Sequence, residues 1–379
     1  MLSAVGIVSE YNPFHNGHLY QLQRAKQITG ADIVVAVMSG NWLQRGEPAI
    51  YDKWERTRAA INNGVDIVIE LPFFSAVQPS HIFSTGAVRL ITAMNCRWLA
   101  FGAENPNIDY LKLIKNQPER DASFRQFDRP YASIFQDYLK KKTGIQLNQP
   151  NDILAFGYSN ANFNLGSPLN LVPIQRIGSD HNQDKLSPSG LIASASAIRN
   201  AIHSDLVSEV NKFVPRSTFS MIQGQRPITW NDFWPLLRFE LVEAPISQLH
   251  QIYQMTEGIE YRLKRCAIKA DTFKTFLHLV KTKRYTYTRI QRLCTYVLLH
   301  ATEAQMLNQP NYLRLLGFSK NGQVYLNQIK NKLKLPLITK VNEEVVKNWL
   351  QMDFGAGMLF QMINNKSQDY YRHPLIIGN

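Results

Sequence analysis

What most constrains the fold of this chain is an alternation between short β-branched apolar runs and helix-length segments, sustained over about the first hundred residues. Ala4–Ser9, Asp32–Met38, Asp66–Glu70 and Trp98–Gly102 read as strands, while Gly17–Ile28, Tyr51–Asn62 and Pro79–Ala93 between them carry helical periodicity. Strands separated by helices pair in parallel through right-handed crossovers, so the pattern predicts a parallel sheet covered on both faces. Ligands of such sheets lie beyond the carboxyl ends of the strands. Those positions hold His15 and His18, Ser39-Gly40, Glu70-Leu71-Pro72 and Gly102-Ala103-Glu104-Asn105. Leu171–Ile177 reads as a fifth strand, with Pro173 placing it at an edge or bulge. Residues 107–146 read as a polar, helical insertion or cover, and the pattern beyond residue 200 is mostly helical. The expected fold is α/β: a Rossmann-like parallel-sheet domain over residues 1–200, then a mainly α-helical, basic domain over 201–379.

Bulk properties narrow the classes. A chain of 379 residues suggests two domains and can bury a sizeable core. No apolar run is long enough to cross a bilayer, and the N-terminus enters a core strand without a charged leader. Cys96, Cys266 and Cys294 are odd in number and lie far apart, in no metal-ligand spacing. They predict reduced thiols, a cytoplasmic protein and no zinc site. The net charge of +13 is uneven: residues 1–190 hold 18 Lys and Arg against 16 Asp and Glu, residues 191–379 hold 24 against 13. Ten basic residues against Asp271 alone fall between Arg262 and Arg292, which points to a polyanion on the second half.

Two motifs carry chemistry. His15-Asn16-Gly17-His18 closes the loop after the first strand and opens a helix. Free N–H groups and the positive helix end favour an anion there, glycine lets it approach the backbone, and two imidazoles can donate to phosphate oxygens. The tetrad resembles the H-x-G-H signature of the nucleotidyltransferase superfamily. Ser194-Ala-Ser196-Ala-Ile-Arg199 follows the fifth strand; Ser194 or Ser196 can cap a helix there, and it resembles the S-x-S/T-x-I-R element of the same superfamily. Hydroxyls at a helix start and an arginine one turn on suit the β- and γ-phosphates. No phosphate-loop motif and no K-M-S-K-S-like element is present, which excludes P-loop proteins and argues against an aminoacyl-tRNA synthetase.

The segments GIVSEYNPFHNGH, MSGNWLQRGEPA, VDIVIELP, FGAEN, PNDILA, RIGSDH and SASAIR stand in the order found in bacterial tRNA(Met) cytidine acetate ligases, and KTKRYTYTRIQR (Lys281 to Arg292) is similar to that family's basic stretch. The resemblance covers nearly the whole chain. Ala155 stands where Gly is common and Trp42 where a smaller aromatic is usual. The resemblance implies an enzyme that adenylates acetate with ATP, releases pyrophosphate, and acetylates N4 of the wobble cytidine of elongator tRNA(Met). ATP would meet Val8, Ser9, Glu10, Tyr11, Asn12, Pro13, Phe14, His15, Asn16, Gly17, His18 and Gln21, with Gly102, Asn151 or its neighbour Asp152, and Arg176 as further contacts.

Acetate is already an anion at neutral pH, so adenylation needs positioning and charge stabilisation rather than a base. His15 and His18 would hold the α- and β-phosphates, Ser196 and Arg199 the pyrophosphate, and Mg2+ would bridge the phosphates. The loop Ser39–Pro48, with Gln44, Arg45 and Glu47, is expected to position acetate or cytidine. Lys281, Lys283, Arg284, Tyr285, Tyr287, Arg289 and Arg292 would bind RNA through phosphate neutralisation and base stacking, with Arg262, Lys264, Arg265 and Lys269 extending the surface. The rival readings are a small-molecule adenylyltransferase of a cofactor pathway and a non-catalytic RNA-binding relic of the same fold.

Overall fold

The computed structural model describes residues 1–118, 131–177, 186, 190–307 and 309–378. The sheet-building half begins β1 (Ala4–Ser9), α1 (Asn16–Thr29), β2 (Ile33–Ser39), α2 (Lys53–Asn62), β3 (Ile67–Leu71), α3 (Ser80–Ala93) and β4 (Trp98–Ala103). It continues with α4 (Pro150–Asn164), β5 (Asn170–Gln175) and α5 (Ala195–His203). The strands are parallel in the order β5-β4-β1-β2-β3, which makes β1 central and puts Pro173 on an edge strand.

Both faces are covered, so consecutive strand residues enter two different cores. Ile33, Val35 and Val37 of β2 pack with Phe83, Val88 and Ile91 of α3 on one face. Val34, Ala36 and Met38 pack with Leu22 and Ala25 of α1 and Trp54, Ala60 and Ile61 of α2 on the other. Gly6 of β1 admits α3 closely: a Cβ there would lie 2.4 Å from the Ile91 side chain.

Residues 201–306 are helical as expected. They include α6 (Trp230–Glu243), α7 (Ile259–Lys269), α8 (Phe273–Val280) and α9 (Tyr287–Leu298), around an aromatic core of Trp230, Phe233, Trp234, Phe273, Phe276 and Tyr296. That core also takes in Trp42, Phe73 and Phe74 from the loops after β2 and β3, so the helical body rests on the carboxyl edge of the sheet.

The last part of the chain differs from the helical expectation. β6 (Leu313–Ser319) pairs antiparallel with β3; β7 (Leu337–Ile338) and β8 (Leu375–Ile377) pair with β6; α10 (Lys320–Ile329) and α11 (Gln351–Asn364) lie between them. The reason is physical. LRLLGFS is buried on both sides, with Leu313 and Leu315 in one core and Leu316 in the other, so it shows no alternation and cannot be told from a helical stretch by periodicity.

The three cysteines are free and buried. Among the described residues no helix is long and apolar enough to cross a membrane. The polar loop with Asp180, His181 and Asp184 lies outside the described residues.

Candidate functional site

The centre of the site is the turn from β1 into α1. Tyr11 takes the left-handed conformation (φ 47°) and is buried, its ring 4.8 Å from that of Phe14. A bulky residue at positive φ costs about 1–3 kcal/mol and persists only where its surroundings dictate it. Here it turns the chain so that His15 caps α1: its Nδ1 accepts from the Gly17 N–H at 3.0 Å. His18 reaches back, its Nδ1 accepting from the His15 N–H at 3.3 Å. The two rings are stacked, centroids 3.7 Å apart and planes 26° apart, with Tyr11 edge-on to His18. Because both Nδ1 atoms accept, the proton of each neutral ring sits on Nε2, which leaves two Nε2–H donors. Burial, then the nearby charges of Arg176 and Arg199, lowers the His15 pKa to about 3. Burial first, then His15 and Arg176, holds His18 well below the usual histidine range. The pair is therefore neutral in the free protein at pH 7, a donor pair awaiting negative charge.

The second motif docks onto this turn. Ser194, not Ser196, caps α5, accepting from the Ala197 N–H at 3.0 Å. That leaves Ser196 Oγ to accept from Arg199 Nη2 at 3.2 Å, while Arg199 Nη1 donates to the Asn12 carbonyl at 3.0 Å. Asn12 in turn accepts from the Ile50 N–H, and Asn16 Nδ2 donates to the Leu191 and Lys212 carbonyls. His15, His18, Ser196 and Arg199 thus form one cluster at the carboxyl end of β1.

A third group stands at the end of β4. Arg176 packs over Gly102, where a Cβ would lie 3.4 Å from the arginine side chain, and pairs with Glu104 at 3.8 Å. Glu104 also accepts from Asn151 Nδ2 and from the Asp152 N–H. Asp152 is buried and spends one carboxylate oxygen on the N–H groups of Glu104 and Asn105, at 2.9 and 3.1 Å. Between the neighbours Asn151 and Asp152, then, Asp152 shapes the turn and Asn151 is the more open. Val8 and Gln21 are half-buried. Glu104 emerges as the hub of this corner, and its sequence signal was an acid directly after a parallel strand.

The loop from Asn41 to Pro48 folds back on itself between the site and the helical body, with Gly46 donating to Leu43 and Leu43 to Glu47. Gln44 donates its N–H to Glu10 at 2.9 Å. Burial, reinforced by the Glu47 carboxylate, raises the Glu10 pKa. At the root of the loop lies a buried charge cluster invisible to sequence reasoning. Lys53 Nζ bonds both oxygens of Glu70 (3.0 and 2.9 Å) and Asp369 (2.8 Å), with Arg314 also buried beside it. Arg56, also buried, donates to the carbonyls of Glu10, Ser39, Gly40 and Tyr51.

The predicted RNA-contacting residues lie near one another but are not equally free. Arg284 and Arg289 both pair with Glu257, at 3.0 and 3.1 Å, and flank buried Tyr285. Tyr285 is therefore enclosed by its neighbours, with little of its ring exposed. Lys281 lies over Tyr287, which is 43% exposed, and Lys283 is exposed. Arg292 is half-buried, and its Nε has no acceptor among the described residues.

With this geometry in hand, the chain compares closely with known proteins. The HIGH Nucleotidyl Transferase family profile matches residues 2–373. The tRNA(Met) cytidine acetate ligase of Levilactobacillus brevis is 50% identical over 99% of this chain and 98% of its own, and that of Lactiplantibacillus plantarum is 45% identical over 98% of each. Among solved structures, apo Thermotoga maritima TmcAL superposes with a TM-score of 0.90 at 28% identity over the whole of both chains. The same protein bound with alpha-thio ATP gives 0.87 at 27%, again over the whole of both chains.

Proposed function

We propose that this chain, which belongs to the HIGH nucleotidyl transferase family and within it to the tRNA(Met) cytidine acetate ligases, joins acetate to elongator tRNA(Met) at the expense of ATP. The observation that carries the reading is the stacked, neutral His15–His18 pair at a helix N-terminus, beside Arg199 and Arg176. It is supported by the ATP analogue bound to the Thermotoga protein and by the names of the close relatives.

In the first step an acetate oxygen attacks the α-phosphorus, the α–β bridging oxygen leaves with pyrophosphate, and acetyl-adenylate forms. The Nε2–H groups of His15 and His18 donate to the phosphate oxygens as charge shifts toward the leaving group. Ser196 and Arg199 hold the pyrophosphate, while Gly102, Asn151 and Arg176 bound the nucleoside side. A magnesium ion would supply charge neutralisation to the triphosphate; among the described residues no group of three or more His, Cys, Asp or Glu could hold a metal ion. Glu10, beside Arg199, would be the side chain placed to reach a magnesium ion carried by the nucleotide. In the second step the cytidine N4 attacks the acetyl carbonyl carbon, the bond to the AMP oxygen breaks, and N4 loses a proton. The target base must be splayed out, which an anticodon loop allows. Lys281, Lys283, Tyr287 and Arg292 are the residues of the basic stretch left to meet RNA, so the helical body serves as the RNA-binding part.

The test is pyrophosphate release from ATP with and without acetate, followed by mass analysis of tRNA(Met) nucleosides. Acetate-dependent release and one acetyl group on the wobble cytidine are expected. Release that needs another acceptor would favour a small-molecule adenylyltransferase.

A further inference from the structure

The loop Asn41–Pro48 touches the adenylation site and α9 through different atoms of the same few residues. On the α9 side the contact is backbone to backbone. Gly46 has φ +81°, and a Cβ there would lie 2.3 Å from the Arg292 nitrogen and 2.5 Å from the Gln291 carbonyl carbon. Thr295 Oγ1 donates to the Gly46 carbonyl at 2.9 Å, and Gln291 Nε2 donates to Glu47 Oε1 at 3.3 Å. On the site side, Glu47 Oε2 lies 4.0 Å from Arg199 Nη2, the atom that also holds Ser196, and the Gln44 N–H holds Glu10. With no side chain between Gly46 and α9, a shift of the helix would press directly on the loop, and a shift of the loop would move Glu47 relative to Arg199.

We propose that Glu47 is a positioning residue that links occupancy of the RNA surface on α9 to the phosphate grip of Arg199, so that nucleotide and RNA each bind more tightly in the other's presence. The inference rests on the RNA-ligase reading above. Glu47 is half-exposed, and its two oxygens face different partners. Polyphosphate on Arg199 relieves that guanidinium of its need for Glu47, and Gln291 then keeps the carboxylate on α9. The loop settles in the pose that RNA also selects. Two ligands that favour the same pose must help each other equally, because the coupling is reciprocal.

The experiment measures the Kd of tRNA(Met) transcript by fluorescence anisotropy, with and without saturating α,β-methylene ATP. The wild-type protein, Glu47→Gln and Gln291→Ala are compared. For the wild type the nucleotide is expected to tighten RNA binding about 5- to 20-fold, within the usual range of coupling. In both variants the ratio is expected to fall to within about twofold of unity, while the nucleotide-free Kd changes by less than about threefold. A wild-type ratio of one, or a variant that keeps the wild-type ratio, overturns the role of Glu47 and leaves the ligase reading standing. Failure of the wild type to bind this RNA at all overturns the reading itself.

Discussion

At the residue scale, the account depends on two imidazoles kept neutral so that they donate rather than repel one another. Removing one should cost about 10² to 10³ in the rate of acetate-dependent pyrophosphate release, as for the loss of one donor to a developing oxyanion. His18→Ala is expected to show that loss with an unchanged melting temperature within a few degrees, which a pyrophosphate assay beside a thermal scan would check. His15 has a second signature. Its pKa is about 3 in the folded chain against an ordinary 6.5, so between those values the unfolded chain binds a proton that the folded chain does not. Its contribution to stability is therefore complete above about pH 6.5 and is lost as pH falls toward 3. His15→Asn keeps a side-chain acceptor for the Gly17 N–H but does not titrate. The wild type should lose more stability than this variant between pH 7 and pH 5; equal losses would contradict the burial of His15.

At the element scale, much of the site was legible because it is made of local motifs. H-x-G-H and S-x-S-x-I-R each follow a strand and open a helix, and neither needs distant contacts to be recognised. What was not legible lies in contacts between segments far apart in sequence. Lys53 meets Asp369 across more than three hundred positions, β6 pairs with β3, and Tyr285 is buried with Arg284 and Arg289 against its ring. The register at Asn151 and Asp152 could not be read from pattern, because neighbouring polar residues at a helix start differ only in where the turn after β4 lies. The Lys53 cluster joins α2, β3 and the segment after α11. Lys53→Met would leave Glu70 and Asp369 as buried carboxylates without their cation. It should cost about 3–5 kcal/mol, as for one partner of a buried pair, read as a fall in the denaturant midpoint. A cost under about 1 kcal/mol would mean that the cluster is solvated.

At the scale of the whole molecule, the basic helical body sits over the carboxyl edge of a sheet whose last strands come from the far end of the chain. The proposed RNA-binding part is thus built into the sheet-bearing part, and Trp42 and Phe73 belong to its core. If the basic stretch meets RNA phosphates, RNA affinity should fall steeply with salt. Lys283→Ala, which removes one exposed cation, should flatten the slope of log K against log salt by about 0.7 if it meets a single-stranded phosphate, and an unchanged slope would remove Lys283 from the interface. The central claim is that an acetate oxygen attacks the α-phosphorus in this site. The most direct test supplies acetate labelled with 18O in both oxygens, together with ATP and tRNA(Met), and measures the mass of the AMP formed. One 18O in the AMP phosphate is the predicted result; AMP without label, formed alongside acetylated RNA, would contradict the acetyl-adenylate route.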